Sequence, residues 1–248
     1  MITIKSKEEI NFMRHAGAIV RDTLLYLEEK ICPGMTTKRL DTLAYEFIKK
    51  CGAEPSFLGY QGFPASICVS IDDEVVHGIP TANRIIEEGQ IVSVDVGAYI
   101  NGFHGDAART FAIGDVSAEK RKLIKTCEEA FFKGVAEVKP GARIGDISHA
   151  VQTHAERAGY SVVREMIGHG IGREMHEDPN VPNYGPAGRG PRLDVGMAIA
   201  IEPMINMGTR YIEILENEWT VATVDGKPSA HYENTVVVTE NGCEILTK

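Results

Sequence analysis

"CPGMTTKRLDTLAYEFIKKCG" at 32–52 and "KPGARIGDISHAVQTHAERAG" at 139–159 carry one pattern twice. Each sets a Pro-Gly ahead of an apolar-periodic helix that closes on a glycine, Gly52 or Gly159. Pro33 to Pro140 and Gly52 to Gly159 are both 107 residues apart. The same offset takes Gly89 to Gly196 and, six residues further, Asp95 to Glu202. Both segments that follow those glycines, "QIVSVDVG" and "MAIAIEPM", alternate like strands.

A further helix precedes each Pro-Gly. The first opens on a capping box, Ser6 to Glu9, and places Ile10, Met13, Val20, Leu24 and Leu27 on one face. The second puts Leu123, Cys127, Phe131 and Val135 on a similar stripe. Each half is therefore helix, helix, then strands. This predicts an α+β (α/β) fold with pseudo-twofold symmetry, its two related halves packed around a central antiparallel sheet. No Pro-, Ser- or charge-rich linker separates the halves. The expectation is one domain over 1–248, repeating at about 1–115 and 116–248.

Composition narrows the function. The net charge is −9, from 26 basic and 35 acidic residues. A dedicated nucleic-acid binder would be basic, since phosphate neutralisation supplies most of its affinity. The cluster Lys120, Arg121, Lys122 and Lys125 reads as a solvated helix face. The five cysteines are odd in number, scattered, and form no C-x-x-C pair, so neither a disulfide framework nor a Cys-based zinc site fits. "MITIKSKEEINFMRHAG" is too charged for a signal peptide, and no run approaches the roughly 20 apolar residues of a membrane span. These features predict a cytoplasmic protein with no membrane contact.

Carboxylates interrupt the strands. Asp95 shares a face with Ile91 and Ser93, where an unpaired buried aspartate costs several kcal/mol. Asp106 follows 11 residues later, and Glu233 follows Glu202 by 31 residues, so the second hairpin carries about 20 extra residues. Hairpin pairing can set each pair side by side, and the pseudo-twofold then turns the pairs towards each other. Four carboxylates that close require raised pKa values or a cation. A hard, oxygen-rich site completed by one imidazole suits Mn, Fe or Co, or a two-metal cluster. The glycine-rich "GHGIGREMHEDPNVPNYG" (168–185), read as a loop rather than a helix, holds two histidines that can supply that nitrogen, His169 and His176.

"VHGIP" (76–80), "VDVG" (94–97), "HGDAART" (104–110), "GHGIG" (168–172), "MHEDP" (175–179), "AIEPM" (200–204) and "HYENTV" (231–236) resemble, in order and spacing, the motifs of type I methionine aminopeptidases. The resemblance spans nearly the whole chain and implies the pita-bread fold of that family, in the short form typical of bacteria. It implies two divalent ions per chain, from Co, Mn and Fe with Zn or Ni as further candidates. Asp95 matches a chelating ligand of one metal, Asp106 and Glu233 the bridging carboxylates, and His169 and Glu202 ligands of the other metal. Glu202 also matches the proton acceptor for the attacking water. His176 matches a histidine that contacts the scissile carbonyl, and His77 one near the substrate's backbone nitrogen. Tyr60, Cys68 and Trp219 fall where the family lines its methionine pocket. Phe57, Phe63 and Met175 stand where many bacterial members have Cys, Tyr and Phe, so the pocket stays apolar with an altered shape.

The implied activity is removal of N-terminal methionine from nascent proteins and peptides with a small, uncharged second residue, after deformylation. A monomer would suffice, with transient ribosome docking and no dedicated nucleic-acid partner. Taken singly, each residue has an ordinary reading. Asp95 could face solvent, His77 could sit in a turn bonded to backbone, His176 could join a surface ion cluster with Glu177 and Asp178, and Trp219 could be plain core. His15, His104, His149, His154 and His231 are expected to be structural or surface residues. The competing functions are a proline-specific aminopeptidase or dipeptidase on the same scaffold, and a relative that binds without catalysis.

Overall fold

A computed structural model describes residues Met1–Lys248. Four helices form where the stripes and caps require: α1 Lys7–Lys30, α2 Thr37–Lys50, α3 Ala118–Val135 and α4 Ile144–Arg157. The capping box of α1 is closed, Glu9 N donating to Ser6 Oγ at 3.2 Å and Ser6 N to Glu9 Oε2 at 2.9 Å. Its buried face includes Met13, Val20, Leu24 and Leu27. Thr36 and Ser117 cap α2 and α3 in the same way, each hydroxyl accepting from a backbone N–H three residues on. At α4, Asp146 Oδ2 reaches back to Arg143 N at 2.8 Å. Gly52 and Gly159, just past α2 and α4, adopt φ of 77° and 90°, the left-handed geometry that ends a helix at least cost.

In the first half, Ile91–Ile100 and Phe103–Ala112 form a hairpin of two ten-residue strands turning on Asn101 and Gly102, both at positive φ. Ile67–Ile71 flanks it, anchored where Asp41 Oδ1 of α2 accepts from Ser66 N at 2.7 Å. α1 lies close against the hairpin: a Cβ on Gly105 would stand 2.9 Å from the Gly17 backbone nitrogen. In the second half a five-stranded sheet runs, edge to edge, Gly242–Ile245, Asn234–Thr239, Ala198–Ile201, Gly168–Gly170 and Glu177–Val181.

Each half has its own core on the helix side of its sheet. Val92, Val94 and Val96 pack with Leu24, Leu40 and Ile48 in one, and Ile199, Ile201 and Val236 with Leu123, Phe131 and Val151 in the other. The sheets meet where Ala108 and Glu233 exchange backbone hydrogen bonds of 3.3 and 3.0 Å. Thr235 Oγ1 adds a clasp there, accepting from Asp106 N at 3.0 Å and donating to Asp106 O at 2.9 Å. The helices lie outside, and the opposite sheet faces bound a cleft between the halves.

One expectation changes in part, and another gains detail. The histidine-bearing stretch is only partly a loop: Gly168–Gly170, which carries His169, and Glu177–Val181 are short antiparallel strands, while His176 lies in the irregular segment between them. Its glycines allow close strand approach, since a Cβ on Gly170 would fall 2.1 Å from Asp178 O. The extra residues of the second hairpin are themselves ordered strands. Met204–Asn206 pairs with Ser229–His231, and Ile212–Ile214 pairs with Val221–Thr223, which joins Glu74–Val76 of the first half. That excursion carries Trp219 back across to the cleft.

Candidate metal centre and substrate cleft

Asp95 and Asp106 leave the hairpin on one face, and the register makes them diagonal neighbours, Asp95 opposite Ala108 and Asp106 opposite Gly97. Glu202 lies one residue past Ala198–Ile201, which ends there because Pro203 has no N–H to continue the ladder. Glu233 immediately precedes Asn234–Thr239, whose ladder begins at Asn234 opposite Ile201. The next step outwards sets Glu233 against Glu202. All four carboxylates converge with His169 at the floor of a cavity of about 240 Å³.

His169 faces them with Nε2, 3.7 Å from Asp106 Oδ2 and 3.6 Å from Glu202 Oε1. Its Nδ1 donates to Gly170 O at 2.8 Å. A carbonyl only accepts, so the proton sits on Nδ1 and Nε2 presents a lone pair. Burial lowers the His169 pKa to about 4, so the ring is neutral near pH 7. Burial pushes Asp106 up to about 7. Asp95, Glu202 and Glu233 are held well above the usual carboxylate range, by burial first and then by repulsion from Asp106 and one another.

Asp95 Oδ1, Asp106 Oδ1 and Glu233 Oε1 are buried without any hydrogen-bond partner, although most buried polar atoms have one. A lone pair 3.6–3.7 Å from oxygens of Asp106 and Glu202 is not a hydrogen bond; beside the orphaned oxygens of the same cluster, it is the spacing of donors around a common cation. The residues therefore fit divalent metal, and one donor set whose atoms lie within 4.8 Å of one another is Asp106, His169 and Glu233.

The cavity wall is apolar. Phe57, Phe63, Cys68 and Met175 are buried in one cluster, with Tyr60 and Trp219 packed against it. Phe63 meets the Trp219 ring edge-on at a centroid distance of 5.1 Å. His176 lies over the metal end, its ring 4.2 Å from that of His169 and its Nδ1 2.8 Å from Tyr60 Oη. Burial lowers His176 to about 4 and depresses His77 as well. His77 lines the same cavity from a backbone at φ 60°, a rare conformation for a non-glycine residue.

All thirteen residues singled out from the sequence for metal, catalysis or substrate line this one cavity. Sequence reading missed two neighbours. Gln61 also lines the cavity. His231, expected to be structural or surface, is fully buried and brings Nε2 to 3.7 Å from Glu202 Oε2 and 3.6 Å from Glu233 Oε2. A signal existed: His231 and Glu233 are two residues apart in a strand-forming run, so they share a face. His104 stays outside, its Nδ1 2.9 Å from Ser56 Oγ.

Hard oxygen donors and bare imidazole nitrogen beside an apolar side-chain pocket define a metal-dependent hydrolase. The sequence profile described as metallopeptidase family M24 matches residues 11–240. The methionine aminopeptidase of Clostridium acetobutylicum is 59% identical over 247 residues, covering 100% of this chain and 99% of that one. Methionine aminopeptidase 1 of Bacillus subtilis is 52% identical, with full coverage of both chains. The crystal structure of the Thermotoga maritima methionine aminopeptidase superposes at a TM-score of 0.99 with 45% identity, again over both chains entirely. A Pyrococcus furiosus prolidase shares the pita-bread fold at a TM-score of 0.80 and 26% identity, over 99% of this chain but 65% of its own. The chain belongs to metallopeptidase family M24, in its methionine aminopeptidase branch.

Proposed function

We propose that this protein removes the N-terminal methionine from proteins and peptides whose second residue is small and uncharged, once the terminus has been deformylated. The observation that carries this reading is the junction of two environments in one cavity, a carboxylate–imidazole donor set at one end and an apolar pocket of Tyr60, Phe63, Cys68 and Trp219 at the other. The relatives at 45–59% identity support it. The catalytic unit spans 1–248 as one domain with halves at about 1–115 and 116–248, and a monomer suffices because both halves of the donor set lie in one chain. N-termini emerging from the ribosome in the cytoplasm are the proposed substrates, met by transient docking. The five cysteines are free, and no helix is long and apolar enough to cross a membrane.

Asp95, Asp106, His169, Glu202 and Glu233 would hold two divalent ions, drawn from Co, Mn, Fe, Zn or Ni, with Asp106 and Glu233 shared between them. Such ions, when bound, acidify water and polarise a carbonyl. Glu202 acts as the proton acceptor, its carboxylate lining the cavity 3.6 Å from His169 Nε2 where the attacking water would sit. His176 donates from Nε2 to the scissile carbonyl oxygen in the tautomer whose Nδ1 accepts from Tyr60 Oη, 2.8 Å away. His77 stands at the substrate's backbone nitrogen. Phe57, Phe63, Met175 and Trp219 exclude water from the pocket, and an unbranched thioether side chain fills such an irregular apolar space well. A free α-amine reaches the donor-lined end only when the substrate enters by its terminus, which makes the activity that of an exopeptidase.

The test is methionine release from Met-Ala-Ser, with Leu-Ala-Ser and Ala-Pro-Ala alongside, by metal-stripped protein and after restoring Mn, Fe, Co or Zn. Metal-dependent cleavage of the first peptide alone is expected. Cleavage of Ala-Pro-Ala instead would place the protein with the proline-specific enzymes of this fold. Silence on all three with metal bound would place it among binding proteins.

A further inference from the structure

The donor set described so far uses His169 as its single nitrogen, yet a second imidazole meets the same carboxylates. His231 ends the strand Ser229–His231, is 2% exposed, and its Nε2 has no hydrogen-bond partner. An orphaned buried nitrogen is destabilising unless something completes it. Its distances repeat those of His169. His231 Nε2 lies 3.7 and 3.6 Å from carboxylate oxygens of Glu202 and Glu233, where His169 Nε2 lies 3.7 and 3.6 Å from those of Asp106 and Glu202. These separations exceed hydrogen-bonding range. For metal–ligand bonds of ~2.1 Å they correspond to an angle of roughly 120° at a shared ion.

The third member is Asp95. Asp95, His231 and Glu233 each offer one ligand atom, all within 4.8 Å of one another, just as Asp106, His169 and Glu233 do. Two of those three residues, Asp95 and Glu233, also carry orphaned oxygens. The His231 backbone cannot retreat, because Thr110 Oγ1 accepts from His231 N at 2.9 Å and donates to His231 O at 2.8 Å. Thr110 itself is held by Ser93 Oγ at 2.8 Å, so the first-half hairpin fixes the position of this second-half histidine.

We propose that His231 Nε2 is a sixth protein donor to the metal centre, ligating the ion held by Asp95 and Glu233, so that each ion of the pair carries one imidazole. This rests on the reading of the cleft as a metal centre. A nitrogen at that position shifts its preference from manganese towards the more nitrogen-seeking iron, cobalt, nickel and zinc.

The experiment is pulsed EPR on the full chain loaded with Mn(II), prepared with natural-abundance and with 15N-labelled histidine. Metal content and dissociation constants are measured on the same samples by equilibrium dialysis. The wild type is expected to bind two ions with histidine nitrogen coupled to both. His169→Ala should keep one coupling and His231→Gln the other, and His231→Gln should weaken one ion by about tenfold or more. Matching circular dichroism spectra of the metal-free proteins establish that each variant is folded, and the count in the wild type needs no variant. Two ions with coupling lost entirely in His169→Ala would overturn the proposal and leave the metal centre intact. A wild type that binds no Mn(II) would overturn both.

Discussion

Lys5 and Glu177 form a buried ion pair at 2.7 Å, their side chains 4% and 9% exposed, and its loss should be felt at the active site. Glu177 follows His176 directly. Its Oε1 accepts from Arg173 N at 2.9 Å and Glu174 N at 3.3 Å, while Lys5 and Thr3 hold Oε2. The N-terminal segment is fixed in turn by Lys5 N donating to Gly196 O at 2.8 Å. Burial alone would raise the Glu177 pKa, yet the hydrogen bonds from Lys5 and Thr3 leave it lowered, so the carboxylate is charged and depends on its partners.

Removing one member of a buried pair costs about 3–5 kcal/mol. Lys5→Met leaves Thr3 and two backbone N–H groups on Glu177, which reduces the expected loss to about 2–3 kcal/mol. For a chain of 248 residues, that lowers Tm by roughly 4–12 °C. Scanning calorimetry of the metal-loaded protein measures it. Turnover of Met-Ala-Ser should show kcat falling more than KM changes, because the substitution loosens the segment that aims His176 and spares the apolar pocket. Adding Glu177→Gln removes the stranded charge and should recover part of the stability. A Lys5→Met protein within about 0.5 kcal/mol of wild type, or a double variant no more stable than Lys5→Met, would refute the reasoning.

Asp106→Asn should reduce turnover by more than about a hundredfold while the chain stays folded, read by peptide assay with metal analysis; retained activity with two ions bound contradicts the bridging role. His176→Ala should lower kcat by about 10²–10³ with metal content unchanged, and loss of metal would show the residue to be a ligand. The metal-free protein should become less stable as pH rises from about 7.5 to 9. Burial holds His77, His104, His169, His176 and His231 below the usual histidine value, so above about pH 7.5, a full unit over the ordinary value of about 6.5, these rings are largely neutral in both the folded and unfolded states. Over that range the raised Asp95, Asp106, Glu202 and Glu233 bind protons in the folded state that the unfolded chain has lost, so stability falls as they ionise. Urea unfolding of chelator-treated protein at pH 7.5, 8.2 and 9 checks the sign, and a flat or rising trend contradicts it. Saturating metal should reverse the trend, because its ligands bind only when deprotonated.

Much of this was legible locally. Helix caps, stripes and strand alternation are set by residues within a few positions of one another, so the helices and the hairpin turn at Asn101-Gly102 could be placed from the chain alone. The 107-residue repeat linked Asp95 to Glu202, and the family motifs supplied the remaining roles. Where sequence reading fell short, the cause was distance along the chain. Glycines at 168–185 signal an absence of helix equally well for a loop or for closely packed strands, and the carbonyl of Asp178 against Gly170 decides which. Nothing near residue 5 says that Lys5 will meet Glu177, 172 residues away.

The sequence by itself determined the two helix–helix–strand halves, the four interrupting carboxylates and the need for a cation among them, because patterning and charge are properties of the local chain. Only the tertiary structure decided which polar atoms are left without partners. His231 and His104 look alike as histidines near acidic residues, and one turns its Nε2 to Glu202 and Glu233 while the other bonds Ser56. That difference comes from how the Thr110 hydroxyl and the meeting of the two sheets at Ala108 and Glu233 orient a strand, which no linear pattern encodes.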